Sequence, residues 1–171
     1  MTVITEVALT FTFPAGEPVC KYDEMDFYRQ QFSRMGNGIK AMDLAFIEAN
    51  TLWLIEVKDY RQHHRTKTIP LIDELAAKLR DTLAGLMSAK CTAQDPVEKA
   101  FALSAVNADH IRVVLHLEEA APVGRIAPNK ILNVSKIQKM KQRLRSVDAA
   151  PRVVDLQSLA QYPDMRWTVT G

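Results

Sequence analysis

Asp43, Glu56 and Lys58 are charged residues within a mostly apolar stretch near the start of the chain. Residues 38–58 contain two short runs of strand-forming residues around Ala49-Asn50, and this pattern predicts two strands joined by a tight turn. Asp43 belongs to the first run, while Glu56 and Lys58 belong to the second. A half-buried charge costs free energy unless it is paired or bound to an ion, so the fold must bring these three side chains to partners.

The predicted turn determines which residues face each other. Asparagine tolerates the left-handed backbone that a two-residue hairpin loop requires, so we place the loop at Ala49-Asn50. Antiparallel partners then have residue numbers that add up to 99, which puts Asp43 opposite Glu56. Opposed Cβ atoms lie about 5 Å apart on one face, and Lys58 shares that face with Glu56. Two such carboxylates repel each other, and a hard divalent cation such as magnesium or manganese would relieve the repulsion.

These residues resemble the signature of the PD-(D/E)XK nuclease superfamily. The chain reads Met42-Asp43, then twelve residues, then Glu56-Val57-Lys58, with methionine where the superfamily usually has proline. The resemblance implies a metal-dependent endonuclease that hydrolyses phosphodiester bonds in DNA, with RNA not excluded as a substrate. It implies that Asp43, Glu56 and the backbone carbonyl of Val57 bind Mg or Mn. It also implies that Lys58 holds the attacking water and offsets charge in the transition state.

The superfamily usually supplies one more acid from the helix that precedes the hairpin. Three acids occur in the corresponding segment, namely Asp23, Glu24 and Asp26, and the resemblance favours Glu24 as the catalytic one. The same acids also suit the positive N-terminal end of a helix. A purely structural role for them therefore stays open.

The rest of the pattern predicts one α/β domain over residues 1–171. The resemblance implies a restriction-endonuclease-like core, in which a mixed central sheet with the motif-bearing β-hairpin is flanked by helices. Alternation predicts one strand over residues 3–13, and helical spacing predicts a helix over residues 21–35. Pro70 and Asp95-Pro96 predict the starts of two further helices. Residues 111–117 are expected to form a central strand, and residues 152–154 and 167–169 short final strands.

A basic helix is predicted near residues 129–145. This segment has six basic residues and no acid, although the whole chain has a formal charge of only +2, so the remainder carries −4. Phosphate contacts are expected from Lys136, Lys139 and Arg143 on this helix and from Arg61, Arg65 and Lys67 in the loop after the motif. The alternative is a solvated helix face with no ligand.

Composition sets the outer limits of the interpretation. The chain is 47% hydrophobic and 25% charged, which is ordinary for a globular protein, and no apolar run approaches the length of a membrane span. A cytoplasmic protein is therefore expected. DNA is the expected partner, in a homodimer or a larger defence, repair or mobile-element complex. The alternative functions are a non-catalytic nucleic-acid-binding or assembly subunit with the same fold, and a structural protein with a salt-bridged cluster on its sheet.

Overall fold

The computed structural model, which describes residues 1–63, 65–120 and 129–171, has the mixed α/β fold that the sequence predicts. In chain order the strands and helices are β1 (Thr2–Glu6), β2 (Leu9–Phe13), β3 (Val19–Lys21), α1 (Asp26–Gln30), β4 (Leu44–Glu48), β5 (Thr51–Tyr60), α2 (Leu71–Thr92), α3 (Pro96–Val106), β6 (His110–Glu119), α4 (Asn129–Leu144), β7 (Arg152–Val154) and β8 (Thr168–Thr170). Within this described part of the chain, no helix has both the length and the apolar character needed to cross a membrane.

Two sheets organise the core. The larger sheet has the order β3-β4-β5-β6-β7, with antiparallel pairing up to β5 and parallel pairing from β5 to β7. Alternate residues of its strands point to opposite faces. One face packs against α2, α3 and α4 through Ala45, Ile47, Leu54, Leu115 and Val153. The other face packs against the small antiparallel sheet β1-β2-β8 through Leu44, Phe46, Ile55, Val114 and Val154.

The start of the chain corrects the prediction of one strand over residues 3–13. The segment forms the hairpin β1-β2, in which Thr2 pairs with Phe13 and Glu6 with Leu9. Val7 takes a positive φ of 54° in the turn. Because the apolar alternation continues through this turn and no Gly, Pro or Asn marks it, the sequence pattern has no break there.

The predicted helix over residues 21–35 is also wrong as a continuous element. The segment contains the end of β3, a 3-10 turn at Tyr22–Glu24, the short helix α1 and a second 3-10 turn at Phe32–Arg34. Met25 has an extended backbone, with φ −58° and ψ 134°, and this interrupts the helix. The carboxylate of Glu98 in α3 accepts hydrogen bonds from the backbone N–H groups of Asp26 at 2.6 Å and Phe27 at 2.9 Å. Tertiary contact therefore replaces a local cap, and no spacing rule predicts it.

The elements that surround the motif agree with the sequence. Ala49 and Asn50 form the loop between β4 and β5, with φ values of 46° and 60°. Pro70 directly precedes α2, Asp95 caps α3 by accepting from the N–H groups of Val97 and Glu98, and α4 lies where the basic helix was predicted. The strand expected at residues 111–117 is the longer β6.

Gly85 allows α2 to pack closely against Tyr22 and Phe32. A Cβ atom at this position would overlap the buried Tyr22 hydroxyl and lie 3.2 Å from a ring carbon of Phe32. We expect Gly85→Ala to lower the free energy of unfolding by about 1–3 kcal/mol, because two enclosed aromatic rings would have to shift. Urea denaturation measures the change.

Gly36→Ala is the matched control for this prediction. A Cβ atom at Gly36 would meet only the flexible Ile39 side chain, at 3.7 Å, and the site is exposed. Its unfolding free energy should stay within about 0.5 kcal/mol of the parent value. Equal effects of the two substitutions would contradict the proposed close approach.

Candidate functional site

The two carboxylates of the motif meet where the hairpin predicts. The register of β4 and β5 pairs Leu44 with Ile55, and its continuation puts Asp43 opposite Glu56. Asp43 Oδ2 accepts a hydrogen bond from the backbone N–H of Val57 at 2.7 Å, which fixes the Asp43 side chain against β5. Only 1% of Glu56 is exposed to solvent. The fold therefore holds two acids side by side in a place that water hardly reaches.

Two lysines neutralise this pair. Lys58 contacts Glu56 Oε1, lies 3.9 Å from Asp43 Oδ2 and donates to the carbonyl of Val57 at 3.1 Å. Lys78, from the middle of α2, lies 2.9 Å from Asp43 Oδ1 and 2.7 Å and 2.8 Å from the two Glu56 oxygens. We call these four residues the ionic cluster. With all four groups ionised, its net charge is zero.

The pKa values of the cluster follow from burial and from neighbouring charge. Burial, reinforced by the charge of Asp43, raises the pKa of Glu56 to about 7, although Lys78 and Lys58 act in the opposite direction. Burial works to lower the pKa of Lys78, but the facing carboxylates of Glu56 and Asp43 outweigh it and raise this pKa above its usual range. Lys78 is therefore a permanent cation at any physiological pH.

The structure does not bring Glu24 to the ionic cluster. Its side chain is 57% exposed and pairs with Lys21. Asp23 is the acid of this segment that the cluster influences, since burial and then the charge of Asp43 raise its pKa to about 6. The prediction favoured Glu24 because of its residue type alone. The 3-10 turn at Tyr22–Glu24 instead determines which of these acids points inward.

The expected metal ligands do not fit a divalent ion as they are arranged. Asp43, Glu56 and the carbonyl of Val57 each already contact a lysine ammonium group. Among the described residues, no group of three or more His, Cys, Asp or Glu side chains converges as ligands. Mg or Mn as a cofactor therefore stays a prediction, and the donor set supports an ion-paired cluster better.

Lys78 is the cluster residue that the sequence analysis missed. It lies beside the apolar stripe of α2, next to Leu75 and Leu79, where a lysine normally extends into solvent. Its spacing of four residues from Glu74 is typical of a surface helix pair. No local signal distinguishes it, because its partners lie 35 and 22 residues away in the chain.

The predicted phosphate-binding loop folds against the first turns of α2. Arg61 is held by its near neighbour Asp59, with nitrogen–oxygen distances of 2.9 Å and 2.7 Å. Arg65 reaches Glu74 at 2.8 Å, and Lys67 also pairs with this buried carboxylate. Lys40 adds a third cation at 3.9 Å. Two of the three predicted loop residues therefore surround one acid of α2.

The basic helix α4 reaches the same end of α2. Arg143 pairs with Asp73 at 2.9 Å, and Lys136 pairs with Glu119 at 2.8 Å. A groove of about 580 Å³ lies between the two helices and is lined by Pro70, Leu71, Ile72, Asp73, Lys136, Lys139, Gln142 and Arg143. The side chain of Lys130, which belongs to the predicted basic set, lies outside the described residues. We call the groove and the cations around Glu74 the basic surface.

Comparison with known proteins gives one informative match. The chain is 29% identical, over an alignment of 208 positions including gaps, to a cysteine–tRNA ligase from Neisseria meningitidis serogroup A, serotype 4A. The match covers 99% of this chain and 30% of the ligase, so the chain spans less than a third of that relative's length. No family model and no solved structure matches the chain.

This similarity overturns the predicted function. The metal-dependent DNA endonuclease inferred from the motif, and with it the classification as a nuclease or hydrolase, is wrong, because nearly the whole chain is similar to a tRNA ligase. Two acids and a lysine on a hairpin can equally be an ion-paired cluster, and the motif alone does not distinguish the two. The resemblance to the PD-(D/E)XK superfamily stays a prediction about the fold, which no comparison tests.

Glu74 makes the stability of the fold depend on pH. Burial works to raise its pKa, but Lys67 and Arg65 lower it to about 2. A depressed carboxyl pKa stabilises the fold above the ordinary pKa of about 4.3, and this contribution is lost as pH falls toward 2. We expect Glu74→Gln to lower the unfolding free energy by about 1–2 kcal/mol at pH 6, with the difference from the wild type shrinking at pH 3, in urea denaturation.

The exposed Glu24 is the control for this pH effect. Its pair with Lys21 faces solvent, so Glu24→Gln should change the unfolding free energy by less than about 0.5 kcal/mol. A Glu74→Gln deficit that stays constant between pH 6 and pH 3 would contradict the electrostatic origin of the effect.

Proposed function

We propose that this chain has an aminoacyl-tRNA synthetase-related function and contributes a tRNA-binding surface to an enzyme of the ligase type. The observation that carries the proposal is the similarity to a cysteine–tRNA ligase over 99% of the chain. Because the chain spans only 30% of that protein, we assign to it a share in substrate binding and not the complete ligase reaction.

The basic surface is the part of the molecule best suited to a polyanion. Its cations Arg65 and Lys67 are distant in sequence from Arg143, but all three meet at the first turns of α2 through Glu74 and Asp73. Glu74 holds its cations in place without cancelling their charge, since Arg65, Lys67 and Lys40 surround this single carboxylate. Such an arrangement presents an excess of positive charge to a phosphate backbone.

The groove between α2 and α4 gives the positively charged surface a concave shape. Lys139 is exposed beside it, and 62% of the Arg143 side chain is accessible to solvent, so both can reach a ligand. Phosphate contacts position a nucleic acid without reading its bases. The chain would therefore bind the backbone of a tRNA, and recognition of the particular tRNA would belong to other parts of the enzyme. This proposal replaces DNA, the partner expected from the motif, by RNA.

The proposal is tested by binding of a tRNA transcript to the purified chain, followed by fluorescence anisotropy between 50 and 200 mM salt. We expect Lys139→Gln/Arg143→Gln to weaken binding about tenfold or more at the higher salt concentration. Each lost phosphate contact should reduce the slope of log K against log salt by about 0.7–0.9, so the double variant should lose about 1.4–1.8.

Arg34→Gln/Lys99→Gln is the matched control. Both residues are exposed and lie near the other end of α2, roughly 30 Å from the groove along the helix axis. This variant has the same change in net charge and should keep wild-type affinity and slope. Equal losses of affinity in the two variants would mean that the effect comes from net charge alone and not from the groove. A wild-type chain that binds tRNA no better than a DNA duplex with the same number of phosphates would contradict the tRNA assignment.

A further inference from the structure

Lys78 occupies the space between the two acids of the motif. Its ammonium nitrogen lies within 2.9 Å of Asp43 Oδ1 and of both Glu56 oxygens. Only 13% of the side chain is exposed, so solvent does not compete for these contacts. A cation shared between two opposed carboxylates removes their repulsion, which is the task that the sequence motif suggests for a metal ion.

The other oxygens of the cluster are also engaged. Asp43 Oδ2 accepts from the N–H of Val57 at 2.7 Å, and Lys58 contacts Glu56 Oε1 and the carbonyl of Val57. A divalent ion at this position would need its oxygen ligands about 2.0–2.1 Å away in an octahedral arrangement, if it were magnesium. It would also add two positive charges to a cluster that already has as many ammonium groups as carboxylates.

We propose that Lys78 takes the place of a divalent cation between Asp43 and Glu56, so that the ionic cluster connects α2 to the β4-β5 hairpin without a metal ion. The inference concerns the ionic cluster alone and does not depend on the proposed binding of tRNA.

Neighbouring hydrogen bonds keep Lys78 in this position. Asp81 Oδ2 accepts from the backbone N–H of Lys40 at 3.0 Å, and Thr82 Oγ1 accepts from that of Met42 at 2.9 Å. Both acceptors belong to the turn of α2 that follows Lys78. They attach the segment before β4 to the helix and so keep Asp43 close to the turn of α2 from which Lys78 extends.

The test measures thermal unfolding of the full chain with Mg²⁺ or Mn²⁺ alone, together with direct titration calorimetry of Mn²⁺. Neither metal ion should change the melting temperature of the wild type through binding at Glu56, and calorimetry should detect no Mn²⁺ binding that depends on Glu56. Lys78→Arg should give the same results. Lys78→Met should melt roughly 10 °C lower without metal, because two buried carboxylates lose a counter-ion. It should recover several degrees with Mn²⁺, and this recovery should disappear in Lys78→Met/Glu56→Gln.

Lys90→Met, in the last turn of the same helix, is the control for loss of a lysine from α2 and should show neither effect. Mn²⁺ binding by the wild type that Glu56→Gln abolishes would overturn the proposal. A folded Lys78→Met chain that takes up no Mn²⁺ would overturn it as well, because the ammonium would then not occupy a cation position. If Lys78→Met does not fold, calorimetry on the wild type and on Lys78→Arg still decides between the two outcomes.

Discussion

The burial of four charges between α2 and the β4-β5 hairpin is the constraint on which the arrangement of this molecule depends. Neither Asp43 nor Glu56 can be removed from water without a counter-ion, and Lys78 supplies it only when α2 packs on this face of the large sheet. The position of α2 then determines how close Gly85 comes to Tyr22 and Phe32. This electrostatic requirement therefore acts together with the apolar packing of Leu75, Leu79 and Leu86 in placing the longest described helix on the sheet.

The same helix links the ionic cluster to the basic surface. Glu74 and Lys78 are one turn apart on α2, so cations gather around the first and anions around the second. The loop after β5 and the helix α4 both attach to the start of α2 through ion pairs. The first turns of α2 therefore contact both the basic surface at Glu74 and, one turn later, the buried ionic cluster at Lys78. Of these two sites, the basic surface has the room and the positive charge for a polyanionic ligand.

The contacts of the motif residues explain why the motif led to a wrong functional prediction. A sequence motif reports which residue types occur at a spacing, whereas the partners of those residues decide between a metal centre and an ion-paired cluster. Here the partner is a lysine from a helix that begins 13 residues after the motif ends.

Local patterns alone determined the hairpin of β4 and β5, the face shared by Asp43 and Glu56, the starts of α2 and α3 and the position of the basic helix. These features follow from rules that act over a few residues, such as turn conformation, alternation and the place of proline. Tertiary structure decided the rest. It broke residues 21–35 at Met25, where Glu98 from α3 replaces a local cap, and it turned the first strand into a hairpin at Val7. It also brought Asp23, and not Glu24, under the influence of Asp43, and it placed Lys78 between the two acids. These contacts join residues that are too far apart in the chain for a local pattern to predict them.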